Sequence, residues 1–558
     1  MTAKIRNIRA LSGWLWRAWQ GHRLQAGLNV CVGFAQVMTE LALVWVTKLT
    51  IDAATGQSQR ITVMMGLGLM VVAILTEMSL GISSRWIRAV LGVRAQNLMQ
   101  RTFFERLLRS EWVGLRRFHT GDLLNRMVRD VGDVIRFLTE SLPSLLIAIF
   151  QFLGAFLLLY TMDRRLAVIV VLILPVFLIM SRLYVRRMRS ISHRVRDLEA
   201  RVQSIVQESL QHSLLLKSLV RGREMEIKLE DTQHELRRQV VSRTKYATIS
   251  GGVMNLGFAA GYIFSFSWGV LSLQQGVITY GALLAFVQLV GQIQRPVRTL
   301  THFIPVFIGA FTATERLMQL DDIPTEEELP NKPVTTPVGI RVDNVHYTYS
   351  DGIRSIIDGL TCDFAPGSVS AILGETGAGK TTLIRLMLSV LSPTSGTLSL
   401  YNKEDVDVSL SPATRCNFSY VPQGNTLLSG TIRDNLLLGN PYATEEEMRD
   451  ALFAAAADFV WHRPEGLDTR CGEVGDGFSE GQAQRISIAR ALLAKAPIIL
   501  FDEATSSLDT QTEREVVRRI VESKGDATLI FVTHRPEVLK YCTQTITLER
   551  TDRKPHTT

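Results

Sequence analysis

Cysteine is scarce in this chain, with five residues in 558 and no Cys-x-x-Cys pair. An odd handful without that spacing supports neither a disulfide framework nor a zinc cluster. Charge is thin as well, at 20% of residues against 46% hydrophobic. That balance excludes an intrinsically disordered chain. Glycine (40) and proline (17) are scattered without period, which excludes collagen-like and low-complexity sequence. A secretory signal is also missing: the first apolar stretch is too long, contains Glu40 and has no evident small-residue cleavage site. What is present is a mean hydropathy of +0.15, as expected of a chain that is partly membrane-embedded and partly water-soluble.

The net charge is +8 and the isoelectric point about 9.3. Basic residues gather beside apolar runs: Lys4, Arg6, Arg9, Arg17 and Arg23, then residues 85–136 and 182–245. Such flanks are what the positive-inside rule predicts for membrane spans. No basic motif interleaved with aromatics is present, so nucleic acid is excluded as a partner.

Six apolar segments, 24–47, 61–82, 142–160, 166–183, 249–273 and 278–311, can be drawn as spans. Each is long enough for a hydrocarbon core ~30 Å thick. Short turns join the first to the second, the third to the fourth and the fifth to the sixth. Long, Arg-rich, helix-patterned stretches join the others. This alternation places the long connections and both termini in the cytoplasm. Gln294, Arg295 and Pro296 break the last segment, whose second half is expected to leave the bilayer or line a polar cavity. Glu40 and Glu77 fall inside spans, where an ionisable group is expensive. They either line a cavity that attracts cationic cargo or pair with a neighbouring base. Trp14, Trp16 and Trp19, interleaved with Arg17 and Arg23, predict a short interfacial helix.

Residues 1–320 therefore read as a six-span helical membrane domain, 321–339 as an acidic, Pro-rich linker, and 340–558 as an α/β domain. Within the last, Gly374, Glu375, Thr376, Gly377, Ala378, Gly379, Lys380, Thr381 and Thr382 follow an apolar strand and open a helix. That is a P-loop in its required context. Its glycines let backbone N–H groups face phosphate oxygens, Lys380 reaches the terminal phosphates, and the Thr381 hydroxyl is offered to Mg2+. The apolar run 498–501 ends in Asp502 and Glu503. Carboxylates at a strand's C-terminal end suit metal binding (Asp502) and activation of an attacking water (Glu503).

Between these motifs stands Phe478, Ser479, Glu480, Gly481 and Gln482. At this point the chain resembles the ABC transporter ATPases. The resemblance extends in register over about 210 residues, far beyond chance for a single motif. Tyr349 matches the aromatic that stacks on adenine, and Gln423 the Q-loop, implying a catalytic and a Mg2+-binding role. Ser507, Leu508 and Asp509 match the D-loop, and His534 the switch histidine. Ser479, Gly481 and Gln482 match the ATP-contacting signature, and 472–475 the short loop that meets the coupling helices. The amino-terminal half is similar to the exporter half-transporters, with 121–126 and Asp130 near the first coupling helix and 207–223 holding the second.

The resemblance implies ATP and Mg2+ as cofactors and a bacterial-type inner membrane as the location. It implies a second half-transporter as partner, because the signature serine of one copy faces the P-loop of another. The expected activity is ATP hydrolysis coupled to export of an unidentified substrate (lipid, peptide, oligosaccharide or drug-like molecule). The alternative is an ATP-gated channel or regulatory protein; intact Glu503 and His534 favour turnover. Glu480 departs from the usual glycine. A carboxylate near a triphosphate must point away or pair with a base such as Arg485. With Ser479, Gly481 and Gln482 kept, a homodimer is favoured over an asymmetric heterodimer.

Overall fold

The computed structural model of the protein describes residues 8–57, 60–349, 355–404, 407–472 and 477–550. They form two compact units. The first comprises Met1–Glu105 with Thr120–Asp322, and the second Arg106–His119 with Ile323–Thr558. The linear division near residue 320 thus has one internal exception, a short segment that groups with the second unit.

The first unit is built from α1 (Ile8–Ala18), α2 (Arg23–Ala54) and α3 (Val63–Arg109). The four-residue α4 (Trp112–Leu115) follows and belongs to the second unit. Then α5 (Thr120–Asn125) and α6 (Val131–Arg136), each followed by a π turn, lead into α7 (Leu142–Met162). The long α8 (Arg164–Gln211), the short α9 (Ser213–Ser218), α10 (Gly222–Gln274) and α11 (Tyr280–Asp321) complete it. Side-chain caps define two starts: Asp163 accepts from the Leu166 N–H at 3.0 Å, and Thr279 from the Ala282 N–H at 3.2 Å.

Among the described residues four helices are long and apolar enough to cross a membrane: Gln20–Ala54, Val63–Arg109, Thr120–Met162 and Gly222–Gln274. The apolar stretches 166–183 and 278–311 fall within α8 and mostly within α11. Val37, Leu41, Ala155, Leu159, Phe286 and Leu289 bury the seam between α2, α7 and α11. A Cβ on Gly154 would stand 2.6 Å from Leu41 Cδ1, so a larger residue there would have to push that leucine aside. Val71, Leu75, Leu157 and Ile263 face outward, a distribution that hydrocarbon tolerates and water does not.

A helix, α1, forms at Trp14 and Trp16 and ends just before Trp19; of the three tryptophans only Trp16 is exposed, at 62%. Trp14 and Trp19 turn inward; Trp14 stacks on Phe103 and donates to Asp321 Oδ2 at 2.6 Å. Glu40 accepts from Gln151 Nε2 at 2.9 Å, with Glu77 and Arg295 within electrostatic reach. The stretch matched to the first coupling region builds a partly buried ion-pair network with α11. Arg126 donates to Asp122 at 2.9 Å, to the Arg316 carbonyl at 2.6 Å and to Gln319 at 3.0 Å, while Arg316 reaches Asp122 at 2.6 Å. In the second coupling region Leu214, Leu215, Leu219 and Val220 are all exposed around α9.

The second unit is α/β. Strands β1 (Val338–Tyr347), β2 (Ile357–Phe364), β4 (Ser395–Asn402) and β5 (Asp407–Ser409) pair antiparallel in the order β2-β1-β4-β5. A parallel sheet, ordered β11-β3-β10-β9-β6, joins β3 (Val369–Gly374), β6 (Phe418–Val421), β9 (Ile498–Asp502), β10 (Thr528–Val532) and β11 (Gln544–Leu548). A small hairpin of β7 (Gly430–Thr431) and β8 (Arg470–Cys471) stands apart. Every residue of β9 and β10 is buried, as a sheet covered on both faces requires. The helices are α12 (Lys380–Met387), α13 (Ile432–Leu437), α14 (Glu445–Ala454), α15 (Glu480–Leu493) and α16 (Thr510–Ser523). The carboxyl ends of β3, β9 and β10 lie side by side, and the P-loop, Asp502–Glu503 and His534 motifs leave the sheet there.

Candidate functional site

The site begins where β3 ends. Gly374, Gly377 and Gly379 take φ values of 147°, 87° and 99°, a region closed to most side chains. A Cβ on Gly374 would also stand 2.6 Å from the Leu548 carbonyl oxygen. The loop turns directly into α12, so its N–H groups and the helix N-terminus point into one concavity. Lys380 is buried there at 8% exposure. Its ammonium donates to the Gly374 and Glu375 carbonyls at 2.5 and 3.1 Å and to His534 Nε2 at 2.8 Å. An ammonium has no acceptor, so His534 Nε2 carries the lone pair and the ring is the Nδ1–H tautomer.

Asp502 closes the next strand at 4% exposure. Burial raises its carboxyl pKa, opposed by hydrogen bonds from the Tyr420 hydroxyl, at 3.2 Å, and from Thr381. Desolvation and the neighbouring carboxylate push the Tyr420 phenol up in turn. Glu503 follows at φ 50°, a strained conformation for a non-glycine residue, held by its N–H donating to the Val532 carbonyl at 3.0 Å. Gln423 Nε2 donates to Glu503 Oε2 at 2.7 Å. Lys380, Thr381, Gln423, Asp502, Glu503 and His534 thus meet in one cluster. Among the described residues no group of three or more His, Cys, Asp or Glu could hold a metal. The Thr381 hydroxyl and Asp502 carboxylate are instead two hard oxygen donors, a set that fits Mg2+, which keeps waters and phosphate oxygens in its other positions.

Tyr349 flanks the P-loop. Its ring packs edge-on against Tyr347 at 5.0 Å; its hydroxyl lies 3.3 Å from Thr382 Oγ1 and accepts from Arg385 Nη1 at 3.2 Å. The segment containing α4 adds groups that sequence reading missed. The Arg385 guanidinium lies over the Trp112 ring at 4.5 Å, and Arg116 lies 5.2 Å from Trp112 and 5.9 Å from the Tyr349 ring. These are cation–π distances. Nothing in the Arg-rich connector singles Trp112 out, because Arg385, its partner beside the P-loop, lies 273 residues away in the sequence.

The signature residues form a second, separate cluster. Ser479 caps α15 and exchanges hydrogen bonds with Gln482: Ser479 N–H to Oε1 at 3.2 Å, and Gln482 N–H to Oγ at 3.3 Å. A Cβ on Gly481 would stand 3.0 Å from Leu508 Cδ2, so any larger residue there must displace the D-loop leucine. Ser507 Oγ donates to Gln484 at 2.5 Å, and Asp509 caps α16, its carboxyl held low by the Thr512 hydroxyl and N–H. Of the two options for Glu480, pointing away or pairing with Arg485, the structure shows the first. Arg485 turns inward to the Ala456 carbonyl at 2.7 Å and over the Phe459 ring at 4.8 Å. Glu480 is exposed in the first turn of α15, where the helix dipole favours a negative charge. Among the described residues no hydrogen bond or ion pair joins 479–482 to 374–382. In the loop 472–475, residues 473–475 lie outside the described residues.

Comparison with known proteins agrees with this geometry. Residues 27–297 match the family described as ABC transporter transmembrane region, and residues 357–506 the family described as ABC transporter. An ATP-dependent lipid A-core flippase of Desulfotalea psychrophila is 30% identical over 439 residues, 77% of this chain and 76% of that protein. A fatty acid ABC transporter ATP-binding/permease protein of Mycobacterium bovis is 29% identical over 426 residues, 75% of this chain and 67% of that one. A bacterial Atm1-family ABC exporter solved with ATP bound shares the fold, with a TM-score of 0.77 and 22% identity over 96% of this chain and 95% of that one.

Proposed function

The chain belongs to the ABC transporter family, and from that premise we propose that it is one half of a homodimeric exporter of an amphiphilic, lipid-like cargo. It is a multi-pass membrane protein whose ATPase domain couples ATP hydrolysis to transport. The finer reading adds six spans, cytoplasmic termini and a bacterial-type inner membrane.

One observation carries the dimer: the P-loop cluster and the signature cluster do not meet within one chain. A second copy supplies the missing half by two-fold symmetry, its Ser479, Gly481 and Gln482 facing the nucleotide on this copy's P-loop. Glu480, pointing to solvent, leaves that face open.

Within each site Tyr349 stacks the adenine and the P-loop amides bind the phosphates. Lys380 exchanges its bonds to loop carbonyls for phosphate oxygens. Thr381, Asp502 and the Gln423 side chain would hold Mg2+, which neutralises phosphate charge when bound. Glu503 orients and deprotonates the attacking water, with Gln423 positioning its carboxylate. His534 accepts a hydrogen bond through Nε2 and so reports the position of Lys380. The closed dimer must bind ATP more tightly than the open one, or nothing moves.

The cargo class rests on the relatives named for lipid A-core and fatty acid. Glu40 and Gln151 offer a polar contact within the helices for a head group. Purified alone, the chain is expected to form dimers and to hydrolyse ATP; absence of both sinks the homodimer. In proteoliposomes, hydrolysis is expected to rise with lipid-like amphiphiles more than with peptide, oligosaccharide or drug panels. Equal response to all four would remove the cargo assignment.

A further inference from the structure

The first unit holds a cavity that the transport reading does not use. It has a volume of about 490 Å³, within the ~300–1,000 Å³ usual for ligand pockets, and opens between α1, α2, α7 and α11. Leu15, Trp19, Leu138, Leu142, Leu146 and Phe311 give it apolar walls. Arg23 is the single ionisable residue in the lining.

Arg23 is poorly satisfied. Its Nη2 donates to the Trp16 carbonyl at 2.7 Å, and its guanidinium lies over the Trp16 ring at 4.1 Å. Its Nε is buried without a partner, and among the described residues no carboxylate pairs with it. Arginine carries five donors matched to phosphate or carboxylate oxygens. Beside it Trp16 is 62% and Leu24 86% exposed, placing this rim at the membrane–water boundary, where aromatic and basic residues collect.

We propose that this cavity holds one acyl chain of an anionic phospholipid of the bilayer, its head group bound by Arg23, as a resident lipid and not as cargo. Charge separates the two. Two carboxylates, Glu40 and Glu77, face one Arg295 in the polar cluster among the spans, whereas the rim of this cavity is cationic only. The head group of a resident anionic lipid is therefore matched to the rim.

Gly27 supplies the test, because it lines the cavity and a Cβ there would meet nothing within 4 Å. Gly27→Leu fills the space and improves helix propensity, and Arg23→Gln removes the charge alone. The full chain is placed in nanodiscs of phosphatidylglycerol or phosphatidylcholine, and retained lipid is counted by native mass spectrometry after delipidation. The unsubstituted protein is expected to keep phosphatidylglycerol in preference to phosphatidylcholine. Arg23→Gln should lower retention of phosphatidylglycerol about five-fold, the effect of one basic group at an anionic surface, and leave phosphatidylcholine unchanged. Gly27→Leu should lower both. Unchanged retention in Arg23→Gln overturns the proposal, and does so even if Gly27→Leu fails to fold. In proteoliposomes, ATP-driven translocation of fluorescent phosphatidylglycerol should be the same in Gly27→Leu and the unsubstituted chain. A fall would make the occupant cargo, overturning the resident-lipid assignment while leaving the exporter reading standing.

Discussion

The two units of this molecule use polar residues in opposite ways. In the ATPase unit polar groups are clustered within short sequence motifs, and the fold brings three strand ends together around Lys380, Asp502 and His534. In the helical unit polar groups are few and pair over long separations, as Glu40 does with Gln151 and Arg126 with Gln319. A loop-borne site needs neighbours in sequence to shape the backbone, so its chemistry is written locally. A helical bundle has its backbone already satisfied, so a polar side chain there answers only to whichever helix packs beside it.

The contrast can be broken first at Glu503. Glu503→Gln is expected to reduce phosphate release about 10²–10⁴-fold, the usual range for a general base, while nucleotide binding and thermal stability persist. Loss of binding as well would show that the carboxylate shapes the nucleotide site, through Gln423, and does not act on the attacking water alone.

The partly buried network of the helical unit comes next. Arg126→Ala removes the donor to Asp122, to the Arg316 carbonyl and to Gln319 while Asp122 keeps Arg316, and should cost about 1–3 kcal/mol. Thermal unfolding in detergent should register the loss in the helical unit, with nucleotide affinity of the ATPase unit retained. A change below the ordinary surface range of about 0.5 kcal/mol would dismiss the network as structural support.

Cysteine chemistry compares the units more gently. Burial pushes the Cys362 thiol up to about 12 and Cys542 up to about 11. Both are thiols far below these values, so their maleimide labelling should climb about ten-fold per pH unit between pH 7 and 9, following the thiolate fraction. Cys31, exposed on α2 in the first span, should react with apolar reagents and resist charged ones. Equal reaction of Cys31 with both would place that stretch in water.

The smallest effect is expected at the signature. Ser479→Ala removes the cap on α15 and should cost about 1 kcal/mol of ATPase-unit stability. If its activity falls far more than that stability predicts, Ser479 acts on nucleotide and not only on its own helix.

The P-loop, the Asp502–Glu503 strand end, Gln423 and His534 are legible because each lies inside a contiguous motif whose backbone demands are local. Gly481 reads as a motif letter, but its close packing against Leu508, twenty-seven residues away, is visible only in the fold. Tyr420, Trp112, Arg116 and Arg385 were not legible as site residues, since each joins the site through a partner on another element. For Glu480 the sequence left two options, pointing away or pairing with a base such as Arg485, and five residues along one helix is a separation that does not share a face. Tertiary packing instead drew Arg485 to the Ala456 carbonyl.

Composition by itself determined that five cysteines build no framework and that thin charge with abundant apolar residues needs a bilayer for one half of the chain. Motif order determined the nucleotide chemistry, because phosphate binding depends on a few consecutive backbone dihedrals that glycine and the following helix set locally. Only the tertiary structure decided which way Trp14, Trp19 and Arg485 turn, that α4 groups with the ATPase unit, and that Arg23 stands beside an apolar cavity. Those are choices among packing partners distant in sequence, and burial energy settles them only once the helices are side by side.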